Sequence, residues 1–154
     1  MKIILCTTVF ASLCFNLMAQ ESKTNSPAPA SPDKLASAVH NWEKMKPTVV
    51  TNGVRRAVLD GPTATVDKLH CHITTLNPGE VSSAPRLHLQ EEVIIVKEGT
   101  LEAVFDGKTE TAPAGSVIFF QSHAVTQLRN PGKVPATYTV VYYLTPLTPK
   151  EQRW

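Results

Sequence analysis

Residues 79–99 read GEVSSAPRLHLQEEVIIVKEG, and this stretch decides how the rest of the chain is read. Pro78-Gly79 opens it with a turn signal. Val93-Ile94-Ile95-Val96 is a β-branched run that stops at Glu98-Gly99, as a buried strand ending in a turn should. His88 and Glu92 stand just ahead of that run, with three residues between them. Two potential metal ligands at the mouth of a buried strand mark a site held by a rigid element.

Outward from this segment, the chain from Thr48 onward alternates short apolar runs with turns. Val49-Val50 and Val54 to Leu59 are split by Asn52-Gly53, a hairpin signal. Leu69 to Leu76 ends at Asn77-Pro78-Gly79, and Leu101 to Phe105 runs into Asp106-Gly107, a second hairpin turn. Ser116 to Phe120, Val125 to Leu128 and Thr137 to Leu144 complete the set, with Asn130-Pro131-Gly132 between the last two. Many short strands without alternating helices predict an all-β sandwich or barrel rather than a parallel sheet. A jelly roll meets these constraints, because two facing sheets protect their edges and enclose a small cavity.

The spacing resembles the two motifs of the cupin superfamily. The first motif is a glycine, two histidines one residue apart, a glutamate and a second glycine. Gly79 matches with one extra loop residue, Arg86 stands in place of the first histidine, and His88, Glu92 and Gly99 match. The second motif falls on Gly115 to Asn130 without a gap. There Gly115 and Asn130 match, Gln121 replaces the proline, His123 replaces the glycine and Thr126 replaces the histidine. The likeness covers about residues 65–145 and implies a cupin-type double-stranded β-helix, a jelly-roll barrel of six to eight strands with its site inside. The segments GSVIFF, LRN and PATY look in addition like secreted bacterial single-domain cupins.

In that family the metal is usually held by three histidines and one glutamate. The resemblance therefore carries over His88 and Glu92 as metal positions, and Arg86 and Thr126 as the two departures. A guanidinium has no lone pair to offer a metal, and a neutral hydroxyl is a poor ligand for Mn, Fe, Ni or Zn. A divalent metal would need His72 or His123 to complete the set, with His70 on the same strand face as His72. The simpler arrangement pairs Arg86 with Glu92 and leaves a cavity for a polar or anionic small molecule. Arg86 would be its bidentate donor and Thr126 a second contact.

The beginning of the chain has its own pattern. Lys2 followed by the apolar run Ile3 to Leu17 and by Ala19 has the form of a signal peptide over residues 1–19. The run is shorter than the about 20 residues that span a bilayer. An uncut anchor is the alternative, and Leu13 before Cys14 argues against lipidation. The expected location is secreted or periplasmic. Residues 20–32, QESKTNSPAPASP, read as a flexible linker. A helix is expected over 33–46, with Ser31 as cap, Pro32 and Asp33 in its first turn, and Leu35, Val39 and Trp42 on one face. It would cover the outside of a barrel spanning 48–148; a homodimer contact is its alternative use.

Composition bounds the function. A chain of 154 residues allows one domain. It carries 15 Lys and Arg against 13 Asp and Glu, and the leader takes only Lys2 of these. Near-neutral charge without a basic run gives no electrostatic case for nucleic acid, or for a membrane surface beyond export. Cleavage would leave Cys71 as a single thiol without a disulfide partner, best read as a buried small hydrophobe. No Ser-His-Asp set or phosphate-cradling loop is present. Glu91 and Glu92 are neighbours on a strand and face opposite sides. Three classes remain: a small-molecule-binding exported cupin, a metal-dependent dioxygenase, isomerase or decarboxylase, and an exported domain that works through its surface.

Overall fold

The turn chemistry explains the strand order. In the computed structural model, which describes residues 34–148, ten strands follow one another: β1 (Thr48–Val50), β2 (Gly53–Gly61), β3 (Lys68–Leu76), β4 (Arg86–His88), β5 (Glu92–Glu98), β6 (Thr100–Phe105), β7 (Lys108–Pro113), β8 (Val117–Phe120), β9 (Ala124–Arg129) and β10 (Ala136–Leu144). Thr51-Asn52 closes the β1–β2 hairpin, one residue before the expected Asn52-Gly53, because Gly53 already pairs with Val50; Asp106-Gly107 closes the β6–β7 hairpin. Asp106 and Gly107 both take positive φ, 49° and 76°, as the two-residue hairpin turn requires. The signal-peptide and linker segments, 1–19 and 20–32, lie outside the described residues.

The strands form two antiparallel sheets. One has six strands in the order β1-β2-β3-β10-β5-β8, the other four in the order β4-β9-β6-β7. Alternation sets which residues point between them. From β3, β5 and β10 come Leu76, Ile94, Val96, Tyr138 and Val140; from the other sheet come Leu101, Ala103, Ala112 and Leu128, and these pack into one cluster with Phe120. Leu76, Ile94, Val96 and Leu101 are at most 1% exposed, and each such burial is worth about 1.5–3 kcal/mol.

Asn130 ties the ends of this assembly together. It is fully buried, and its Nδ2 donates to Leu76 O at 3.0 Å and to Val134 O at 2.8 Å. Its Oδ1 accepts from Gly132 N at 3.0 Å, while its backbone exchanges hydrogen bonds with Gly79 and Glu80. The motif asparagine thus joins the end of β3, the loop before β4 and the turn before β10. Gly99 has a matching reason to be glycine. Its φ is 76°, and a Cβ there would come within 2.8 Å of Pro135 O.

Of the helix expected over 33–46, the described residues 34–46 do not form one. Residues 35–41 have no helical structure, and only Trp42–Lys44 make a short 3-10 turn, with Asn41 Oδ1 accepting from Glu43 N. Val39 is 95% exposed, so the apolar face of such a helix has nothing to bury. A helix this short needs a packed face to persist. Instead Leu35 N donates to Pro62 O, and the Leu35 side chain lies against Gly61. Trp42 is held between two cations, the Arg56 guanidinium and the Lys97 ammonium, each about 4 Å from its ring centre. The second departure is β4, which the polar sequence around Pro85 concealed. It is a three-residue strand that pairs Arg86 with Thr126 and His88 with Ala124.

Candidate functional site

A cavity of about 610 Å³ lies between the sheets. Its apolar lining comes from core residues, among them Ile94, Phe120, Leu128, Tyr138 and Val140. Its polar lining includes Arg55 on β2, His72 and Thr74 on β3, Arg86 and His88 on β4, Glu92 on β5 and Thr126 on β9. The two motifs therefore meet at one place. Strand pairing puts Arg86 directly opposite Thr126, which is 3% exposed.

The hydrogen bonds form two separate chains. In the first, Arg86 Nε donates to His88 Nε2 at 3.0 Å. His88 Nε2 must then be unprotonated, so the ring proton lies on Nδ1, which stands 3.2 Å from Glu92 Oε1. Gln90 Nε2 also approaches that oxygen, at 3.4 Å. The expected Arg86–Glu92 ion pair is corrected here. His88 stands between the two charges, because β4 points positions 86 and 88 to the same side.

The second chain runs along β3. Asp60 Oδ1 accepts from His70 Nδ1 at 2.9 Å, and His70 Nε2 lies 3.0 Å from His72 Nδ1. Arg55 Nη2 approaches both imidazoles, at 3.2 Å from His70 Nε2 and 3.1 Å from His72 Nδ1. Tyr142, which lines the cavity, stacks on His70 with ring centres 4.5 Å apart. Burial, then the charges of Arg55, His70 and Arg86, lower the His72 pKa to about 3. His72 is neutral at physiological pH. Burial pushes the Tyr138 hydroxyl up to about 12, so it too is neutral.

The other candidates fall elsewhere. His123 sits in the β8–β9 turn with φ 65°, is exposed, and is bonded through Nδ1 to Ser122 Oγ at 2.7 Å. It does not line the cavity, so it does not complete a metal set. Cys71 points to the opposite face of β3 from His72, and burial raises its thiol pKa. Arg55 was missed by sequence reading. The signal available was the alternation of β2, which turns Arg55 toward the cavity and Arg56 toward Trp42.

The residues present do not fit a transition-metal cage. His88 Nε2 is occupied by a guanidinium proton, Thr126 offers a neutral hydroxyl, and His72 spends Nδ1 on Arg55 and His70. Among the described residues no three His, Cys, Asp or Glu side chains converge as a metal group.

Two antiparallel sheets around a polar cavity, with Gly99 at a close backbone approach and Asn130 buried at the strand ends, define an all-β protein with its site between the sheets. A family model described as a cupin domain matches residues 72–142. Over residues 72–142 the chain carries the sequence pattern of a cupin domain. It is similar in structure to an RmlC-like cupin from Shewanella frigidimarina, with 16% identity, a TM-score of 0.60, and coverage of 73% of this chain and 95% of that one. A sugar phosphate isomerase from the cupin superfamily of Silicibacter pomeroyi gives 23%, 0.56, 71% and 77% for the same quantities. A predicted oxalate decarboxylase from Thermotoga maritima gives 17%, 0.58, 70% and 99%. At these identities the likeness establishes the fold, and one fold hosts many activities. No curated protein matches the sequence.

Proposed function

We propose that this protein is an exported cupin that binds a small polar or anionic molecule in the cavity between its sheets. The carrying observation is the hydrogen bond from Arg86 Nε to His88 Nε2. It sets a fixed positive charge and a donated N–H against the atom through which this imidazole would otherwise hold a metal. The cavity then offers hydrogen-bonding groups rather than a Lewis acid: Arg86 and Gln90 as donors, Thr126 across from Arg86, and Glu92 as an acceptor. Native mass spectrometry of protein purified without chelator, followed by thermal-shift titration with polar metabolites, tests the reading. A small molecule that stabilises the wild type and not Arg86→Met is the expected result. Stoichiometric Mn, Fe, Ni or Zn in the purified protein would overturn it. Export rests on the pattern of residues 1–19. Mature protein beginning at Gln20 is expected in the periplasm or medium, and an intact mass that still contains Met1 to Ala19 would refute it.

A further inference from the structure

The proposed ligand can be narrowed by charge and donor geometry, an argument that rests on the cavity being a binding site. Two guanidiniums reach this cavity from facing sheets, Arg55 from β2 and Arg86 from β4. Each is held on one side by imidazole nitrogens: Arg86 through Nε on His88, Arg55 through Nη2 on His70 and His72. Among the described residues neither forms an ion pair with a carboxylate. The remaining N–H groups of both forks are therefore available to an oxyanion, and a guanidinium anchored at one nitrogen presents the others with little loss of freedom.

Charge then selects the ligand. The charged side chains lining the cavity are Arg55, Arg86 and Glu92, a net of one positive charge. A monoanion neutralises it, whereas a dianion such as a phosphate ester reverses it beside the Glu92 carboxylate. The uncharged polar lining comes from Asn52, Ser82, Ser83, Gln90 and the two tyrosines, beside apolar core residues such as Ile94 and Leu128. That lining suits hydroxyl groups.

We propose that Arg55 and Arg86 together clamp the carboxylate of a singly charged polyhydroxy acid, with His72 as a neutral hydrogen-bonding neighbour. Arg86 stands where the family's first motif has a metal-binding histidine, so the clamp takes the place of a metal ion there. Arg55 is thereby a binding residue, although it lies outside both sequence motifs.

Isothermal titration with three sugar-sized probes tests this: glucuronate or gluconate as monoanion, glucose 6-phosphate as dianion and glucose as neutral analogue. Wild type, Arg55→Met, Arg55→Lys and Arg86→Met are compared, with melting curves to confirm folding. A monocarboxylate is expected to bind at least tenfold tighter than either other probe. Arg55→Met should lose tenfold or more, and Arg55→Lys should recover only part, since an ammonium restores charge without the fork. If glucose or the phosphate ester binds as well as the acid, or if folded Arg55→Met binds the acid as wild type does, the clamp is wrong while a cavity receptor stands. If none of the probes binds, the clamp is likewise wrong. Failure of the receptor reading itself is recognised separately, by stoichiometric metal in the wild type.

Discussion

Arg86 and His88 face the same side of β4, and the Arg86 Nε proton is donated to His88 Nε2 at 3.0 Å. This one bond converts a metal position into a charged hydrogen-bonding surface. Across the sheet, Thr126 occupies the paired position, so the two departures from the family pattern are neighbours in space.

That pairing predicts the way back. Arg86→His releases His88 Nε2 and adds one imidazole, and Thr126→His adds a second from the opposing strand. The double variant is expected to bind Mn, Ni or Zn stoichiometrically, because three imidazoles and Glu92 then converge with an open position. Each single variant should bind far more weakly. Calorimetric titration of the four proteins checks it, and equal metal affinity in all four would show that positions 86 and 126 do not control the site.

Gly99 and Gly115 separate two costs of replacing a glycine. Both have positive φ, 76° and 90°, but only at Gly99 does a Cβ meet backbone, at 2.8 Å from Pro135 O and 2.9 Å from Ala136 Cα. Gly115→Val should cost about 1–2 kcal/mol for the backbone angle alone. Gly99→Val should cost more, at least about 3 kcal/mol, since strand β10 must also shift. Chemical denaturation of both variants measures the difference, and equal losses would contradict it.

Asn130→Ala should destabilise the fold by roughly 2–4 kcal/mol, because it removes the donor to the buried Leu76 carbonyl and to the half-buried Val134 carbonyl. Asn130→Asp should fare little better, as it replaces a donor with an acceptor at both carbonyls. Urea melts decide this. A loss under 1 kcal/mol for both would mean that water replaces the side chain.

His72 makes stability depend on pH in a stated direction. Its folded pKa is lowered to about 3 from 6.5, by burial first and then by Arg55, His70 and Arg86. Above pH 6.5 neither state binds the proton, and this residue contributes no slope. Between 6.5 and about 3 the unfolded chain takes the proton and the folded one does not, so stability falls as pH falls. The slope from this residue is at most about 1.4 kcal/mol per pH unit. His72→Gln should flatten the stability curve between pH 6 and pH 4. An unchanged curve would show that the ring protonates freely in the folded protein.

The strand pattern was legible for a local reason. Asp106-Gly107 and the alternation of β3 and β10 depend on near neighbours, and turn angles and side-chain alternation follow from them directly, whereas the first hairpin turns one residue earlier than Asn52-Gly53 suggests. The motif spacing likewise located His88, Glu92, Gly99 and Asn130, because the register of a strand between two turns leaves little freedom. The helix at 33–46 was misread on the same local grounds. Leu35, Val39 and Trp42 have helical spacing, but whether a face is buried is settled by what lies across from it, and Val39 faces nothing. Two decisions belonged to tertiary structure alone. The partner of Arg86 became His88 rather than Glu92, because direction on a three-residue strand outweighs opposite charge when an imidazole lies between. Arg55 joined the cavity because β2 lies beside β3 in the sheet, which brings its guanidinium to His70 and His72, residues 15 and 17 positions away. Sequence determined the long strands, most turns and the positions of the motif residues, while the three-residue β4 took shape only through its pairing with β9. Packing determined which charges meet, since a contact between distant residues is set by sheet order, and sheet order is a property of the whole fold.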